Sequence, residues 1–103
     1  MEIVETKVFE EDAARIFSVA EYEELIIHLA SRPESGVLIP GGAGLRKLRW
    51  SSRGGGKRGG ARVIYYWYVS VEQVLLLRAY RKAEAEDLTR AQVKQLAALI
   101  ERS

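Results

Sequence analysis

The sequence contains no cysteine and only one histidine among its 103 residues. Without cysteine there can be no disulfide framework, thiolate metal site or cysteine nucleophile, as is typical of a reducing compartment. No apolar run approaches the roughly 20 residues of a membrane helix. The acidic N-terminal segment also lacks the basic start and apolar stretch of a signal peptide. We therefore expect a cytoplasmic protein with no membrane partner.

The chain is too short for two hydrophobic cores. At 103 residues and 48% hydrophobic composition, it can form one compact domain with one core. We expect a single domain over residues 1–103, which excludes a two-domain enzyme.

Acidic residues are nearly absent from the middle of the chain. Residues 1–41 carry 3 basic and 9 acidic groups, a net charge of −6, whereas residues 42–82 carry 10 basic groups and only Glu72, a net charge of +9. The overall charge of +2 hides this asymmetry. Such a basic segment indicates a polyanionic partner, either a nucleic acid or an acidic protein. The alternative is a solvated basic face with no specific partner.

Hydrophobic periodicity and capping signals give the order of elements. A capping box formed by Ser18 and Glu21 starts the second helix, and a similar pair, Thr89 and Gln92, starts the last. The predicted elements are a strand at 2–8, a helix from Phe9, a helix from Ser18 to Pro33, a connector at 33–44, strands at 45–50, 61–69 and 73–82, and a helix from Thr89.

This order, β-α-α-β-β-β-α, predicts an α+β fold. We expect a small antiparallel sheet with helices packed mainly on one face and the other face free. The last strand is nearly apolar through Leu77, so it should be central and covered.

Several common site types have no support in the sequence. A metal site needs clustered ligands, and the sheet segment offers only Glu72, so we expect neither a metal nor a cofactor. His28 lies in the acidic half and is expected to be an ordinary surface residue. The loop GGGKRGG lacks a Ser or Thr after Lys57 and leads into a strand, which does not match a phosphate-binding loop. We interpret it as a basic hairpin loop.

Basic residues on the predicted meander can converge around one phosphodiester. Alternation places Lys47 and Arg49 on one strand face, with Arg62 at the start of the next strand and Lys82 at the end of the last. Arginines would stabilise a pentavalent transition state, and like-charge repulsion can lower a lysine's pKa enough for general base catalysis. The RNA 2′-hydroxyl would then be the nucleophile. On charge alone, non-catalytic binding is equally favoured.

Other residues of the middle segment are predicted to bind RNA. Tyr65 and Trp67 alternate with Tyr66 and Tyr68, so we expect the first pair in the core. Tyr66 shares a face with Arg62 and would either stack on a base or pack under the last helix. The predicted RNA-binding residues are Arg46, Arg53, Lys57, Arg58, Tyr66 and Arg81.

Three segments, GLRKLRW at 44–50, GGGKRGGARVIYYW at 54–67 and AYRKAEAEDLTRAQ at 79–92, resemble the RelE/HigB toxin family of type II toxin-antitoxin modules. The KRGG-x-R-[VI]-I-Y-Y block is similar to the HigB-like branch. The resemblance implies a RelE-like fold and a metal-independent endoribonuclease that cuts translated mRNA on the ribosome. It also implies a cognate antitoxin, usually a helix-turn-helix protein of the HigA type.

The resemblance also implies roles for four residues, which we predict to be catalytic. Lys47 and Arg49 resemble the family's basic pair, Arg62 its phosphate-binding arginine, and Lys82 its basic residue at the end of the last strand. The sequence departs from the best-known RelE members, which have an arginine at the place of Ala83 and a tyrosine near that of Thr89. The general base stays open among Lys47, Lys82, Tyr66 and Tyr80.

Two other functions are compatible with the same pattern. A toxin of the related ParE branch would inhibit DNA gyrase without cutting RNA. A domain resembling double-stranded-RNA-binding modules would bind duplex RNA and would not be toxic.

Overall fold

The computed structural model describes residues 1–51, 60–84 and 87–101. A short 3-10 helix at Val69–Val71 lies between the last two strands. Over the described residues, the strands and longer helices are β1 (Glu2–Glu5), α1 (Lys7–Ile16), α2 (Val19–Ser31), β2 (Val37–Leu38), β3 (Arg46–Trp50), β4 (Ala61–Tyr68), β5 (Gln73–Arg81) and α3 (Arg90–Glu101).

The strands form a five-stranded sheet in the order β1-β5-β4-β3-β2. The predicted α+β class is confirmed, and β5 lies inside the sheet as its apolar sequence indicates. The sheet is mixed, however, because β1 pairs with β5 in parallel while the other neighbours are antiparallel. The predicted antiparallel pairing holds for β2 to β5, and the parallel pairing of β1 follows from the crossover that α1 and α2 form between β1 and the meander.

The first strand ends earlier than its β-branched sequence predicts. Thr6 is the N-cap of α1, where its hydroxyl accepts the backbone N–H of Phe9 at 3.0 Å. The same hydroxyl donates to the carbonyl of Leu77 at 3.1 Å, which ties the cap to β5. Because capping satisfies free helix donors, the chain turns helical at Lys7 and not at Phe9.

The predicted connector at 33–44 contains a strand that the sequence analysis missed. Val37 pairs with Lys47 and Leu38 with Arg46, so β2 forms an edge of the sheet. Two residues are too few to show strand alternation in a sequence. The turn that follows places Gly41 at a φ of 72°, a backbone conformation that glycine adopts without a steric penalty.

Helices cover both faces of the sheet. The face beneath α1 and α2 has a core that includes Val63 and Tyr65 from β4. On the other face, which we call the α3 face, Val93, Ala97 and Ile100 pack with sheet residues that include Ile64 and Leu77. The expectation of a free second face was therefore wrong, because the apolar stripe of α3 covers part of it.

A buried carboxylate fixes α1 against β5. Asp12 is 7% exposed and accepts hydrogen bonds from Nε of Arg78 at 2.7 Å and from the backbone N–H of Ala79 at 3.0 Å. The charge of Arg78 is thus balanced within the fold. This cation of the basic middle segment has a structural role.

Candidate nucleic-acid interface

Arg49, Arg62 and Tyr80 form one row across three neighbouring strands of the α3 face. Arg49 pairs with Arg62 in the register of β3 and β4, and Arg62 pairs with Tyr80 in that of β4 and β5. Lys47 lies two residues before Arg49 and pairs with Ile64. Directly opposite residues have Cβ atoms roughly 5 Å apart, so this pairing brings Arg49 and Arg62 together.

The opposite side of β3 explains why these cations point to the α3 face. Leu48 and Trp50 pack against the core beneath α1 and α2. The indole Nε1 of Trp50 also donates to the carbonyl of Glu21 at 2.9 Å, which joins the strand to α2. Because side chains alternate along a strand, Lys47 and Arg49 lie on the other face, as the sequence predicts.

Arg62 is a buried cation, with 9% of its surface exposed. Among the described residues its guanidinium donates one hydrogen bond, from Nη1 to the carbonyl of Ala61 at 3.3 Å. Two arginines opposite each other destabilise a sheet, and burial of a cation that has no carboxylate partner in the described part of the chain adds to that cost. A bound anion would offset both the repulsion between the arginines and the cost of burial. Arg49 and Arg62 are therefore suited to bind a phosphate.

Lys47 has an acidic partner that the sequence analysis did not foresee. Its Nζ lies 3.1 Å from both carboxylate oxygens of Asp87, which precedes α3. The hydrogen bond from Lys47 is the main reason that the pKa of Asp87 lies below its ordinary value. Lys47 therefore has a carboxylate neighbour as well as the cationic ones that the sequence indicates. The Thr89 capping box located the start of α3, but no local pattern showed that Asp87 contacts Lys47 on β3.

Tyr80 completes the row as a proton donor. Its side chain is buried, and its hydroxyl lies 3.4 Å from Oδ1 of Asp87. Burial, followed by the charge of Asp87, raises the pKa of Tyr80 to about 12, although Arg62 acts in the opposite direction. At neutral pH the phenol is almost entirely protonated, which disfavours Tyr80 as a general base.

Lys82 lies just past the end of β5, two residues along the chain from Tyr80 of this row. Its backbone N–H donates to the carbonyl of Gly60 at 3.2 Å, so pairing with the β4 segment continues one residue past Arg81. Alternation places Lys82 on the same face as Tyr80. Lys82 is exposed and forms no ion pair with another described residue. We call Lys47, Arg49, Arg62 and Lys82 the cation cluster.

Two predicted RNA-binding residues lie away from the cation cluster. Arg46 pairs with Tyr65 on the face beneath α1 and α2, and its Nη1 donates to the carbonyls of Glu34 at 3.1 Å and Gly36 at 2.8 Å. Arg81 pairs with Ala61, which belongs to the core of that same face. Their positions on β3 and β5 put both side chains on the face of the sheet opposite to the cation cluster.

Tyr66 lies on the α3 face but packs inside it. Its ring meets that of Tyr68 edge-on, with centroids 4.5 Å apart, and both pack against the α3 core. A Cβ at Gly44 would lie 2.7 Å from Cε1 of Tyr66, so the connector also lies against this ring. This geometry favours the packing alternative over base stacking. The predicted residues Arg53, Lys57 and Arg58 lie outside the described residues.

The described residues contain no group of three or more His, Cys, Asp or Glu side chains that could hold a metal ion. In the same part of the chain, no helix has the length and apolar character needed to cross a membrane.

The comparisons with known proteins support the fold. No family model matches the sequence. The structure is similar to that of a mutant of the E. coli toxin RelE in the free state, with a TM-score of 0.62 and 13% sequence identity. The match covers 96% of this chain and 95% of the RelE chain. The chain therefore has a RelE-like fold.

Proposed function

We propose that residues 1–103 form one toxin domain of a type II toxin-antitoxin module and that this toxin cleaves mRNA on the ribosome. The observation that carries the proposal is the pairing of Arg49 with Arg62 on one face of a RelE-like fold, with Lys47 and Lys82 beside them. The sequence blocks at 44–50, 54–67 and 79–92 support the RelE/HigB family, and the KRGG-x-R-[VI]-I-Y-Y block supports its HigB branch.

The proposed reaction is an in-line attack by the 2′-hydroxyl on the neighbouring phosphorus. The 2′-oxygen bonds to phosphorus while the bond to the 5′-oxygen breaks, which gives a 2′,3′-cyclic phosphate. A base takes the 2′-hydroxyl proton, and an acid gives a proton to the leaving 5′-oxygen. Arg49 and Arg62 hold the phosphate oxygens as their charge increases. DNA has no 2′-hydroxyl and would remain intact.

Lys47 and Lys82 are the candidates for the base and the acid. Tyr80 is disfavoured as the base by its raised pKa, and Tyr66 by its packing away from the row. Lys47 must exchange its contact with Asp87 for one with RNA before it can act. None of these groups requires a metal ion.

The proposal implies three partners in the cytoplasm: the ribosome, its mRNA and a cognate antitoxin. The block at 54–67 favours a helix-turn-helix antitoxin of the HigA type, as in the family it resembles. The +9 charge of residues 42–82 suits contact with mRNA and ribosomal RNA.

Inducible expression of three forms in a bacterial host tests the proposed site. Wild type and Arg32→Ala should stop growth, whereas Arg62→Ala should fold and leave growth unaffected. Arg32 is an exposed arginine at the end of α2, so it is a matched control for loss of one positive charge. Circular dichroism checks folding. A fully toxic Arg62→Ala variant would exclude the proposed site.

Mapping of transcript 5′ ends after induction tests the reaction. We expect new ends within translated regions for wild type and none for Arg62→Ala. Growth arrest with intact mRNA and damaged DNA would instead support a ParE-like inhibitor of gyrase. No growth arrest, together with binding of duplex RNA, would support a non-catalytic RNA-binding domain.

A further inference from the structure

A pocket of about 440 Å³ lies between the turn after β2 and the start of α3. Its size is within the range of roughly 300–1,000 Å³ found for small-molecule sites. Its lining includes Ile39, Pro40, Asp87, Leu88, Arg90 and Lys94.

The lining combines an apolar surface with a cationic rim. Ile39 and Leu88 are half-buried and pack against the α3 core. Arg90 and Lys94 are exposed and four residues apart on α3, which places them on one side of the helix. Neither forms an ion pair with another described residue. An apolar surface beside free cations matches a nucleotide, with its flat base and its charged phosphate.

Asp87 connects this pocket to the cation cluster. It lines the pocket, and its carboxylate is bound to Lys47. An RNA whose phosphate reaches Lys47 would therefore have a neighbouring nucleotide at the pocket. The open space around Gly41, where an added Cβ would meet no atom within 4 Å, leaves that side of the turn accessible.

We propose that this pocket binds the nucleotide that flanks the cleaved link of the RNA. The base lies against Ile39, Pro40 and Leu88, and its phosphate contacts Arg90 and Lys94. A base can occupy such a pocket only when it is unstacked, so the subsite selects single-stranded RNA. The proposal rests on the proposed function and adds a recognition site outside the cation cluster.

Photo-crosslinking on programmed ribosomes tests the subsite. The mRNA carries a 2′-deoxy nucleotide at the cleaved link, which prevents cleavage, and 4-thiouridine next to it. We expect wild type to be crosslinked within residues 39–41 or 87–94. Crosslinks confined to other parts of the chain would overturn the subsite.

A cleavage assay on unmodified mRNA provides the second readout. The double variant Arg90→Ala/Lys94→Ala should cleave about tenfold more slowly, the scale expected for lost charged contacts to phosphate. Lys7→Ala/Arg32→Ala removes the same charge from exposed residues elsewhere and should cleave as wild type does. Equal rates for the two double variants would overturn the subsite while the proposed function stands. A wild type that leaves mRNA uncut would overturn the function itself and the subsite with it.

Discussion

Asp87 holds Lys47 with both carboxylate oxygens 3.1 Å from Nζ. A phosphate that binds Lys47 must either displace the Asp87 carboxylate or bind next to it, where the two negative charges repel each other. We therefore expect Asp87→Asn to bind a short single-stranded RNA about two- to threefold more tightly at low salt, with a smaller gain at high salt. Fluorescence anisotropy across a salt series measures both effects.

The control for this variant comes from the same loop. Glu84 also precedes α3, but its carboxylate binds Arg15 on α1 and not the cation cluster. Glu84→Gln removes the same charge and should change RNA affinity less than Asp87→Asn does. Weaker binding by Asp87→Asn would show that the carboxylate helps to orient Lys47 for RNA.

Arg49 and Arg62 lie directly opposite each other on β3 and β4. Replacing Arg49 is therefore expected to increase stability and to reduce activity. Like charges in register destabilise a sheet, so Arg49→Gln should raise the free energy of unfolding by about 0.5 kcal/mol. The same change removes one phosphate contact and should reduce growth arrest. Urea unfolding and an induction assay measure the two effects.

Arg32→Gln is the control because Arg32 is exposed at the end of α2, away from this row. It should leave growth arrest unchanged and shift the free energy of unfolding by less than about 0.5 kcal/mol. A loss of stability in Arg49→Gln would mean that the arginine's packing outweighs its repulsion with Arg62.

Local signals predicted most of the secondary structure. The Ser18 capping box forms in full, as does the pairing of Thr89 with Gln92. Alternation along β3 correctly separated Lys47 from Leu48. Capping boxes and strand alternation involve residues that are close in sequence, so a short segment is enough to predict them.

The features that the sequence did not predict depend on contacts between distant segments. The pairing of Asp87 with Lys47 joins residues 40 positions apart. Arg46 lies among cations in the sequence, but strand register places it opposite Tyr65 on the other face. Parallel pairing of β1 with β5 likewise follows from the crossover and not from a local pattern. Charge counting found a basic segment but could not divide its members between the two faces.

Asp12 is expected to be a major stabilising residue of the fold. It is 7% exposed and joins α1 to β5 through Arg78 and the backbone of Ala79. Asp12→Ala leaves both donors without this partner and should lower the free energy of unfolding by about 2–4 kcal/mol. Glu11→Ala changes an exposed neighbour on the same helix and should cost less than about 0.5 kcal/mol. Equal losses in the two variants by urea unfolding would contradict this role.

Stability at alkaline pH should depend on Tyr22 and Tyr80. The hydrogen bond to Glu5, with burial, raises the pKa of Tyr22 to about 12, and burial with Asp87 raises that of Tyr80 to about 12. Both phenols ionise near pH 10 in the unfolded chain, so the folded state retains more protons between about pH 10 and 12. Their contribution is fully present below about pH 10 and is lost as the pH rises toward 12.

Urea unfolding at pH 8 and pH 11 tests this dependence. Wild type should lose more stability between the two pH values than the double variant Tyr22→Phe/Tyr80→Phe, because phenylalanine has no proton to release. The informative quantity is the change in the free energy of unfolding between pH 8 and pH 11. The free energy at a single pH is not informative, since each substitution also removes a hydroxyl contact. An equal loss in both proteins would show that neither phenol is linked to folding in this range.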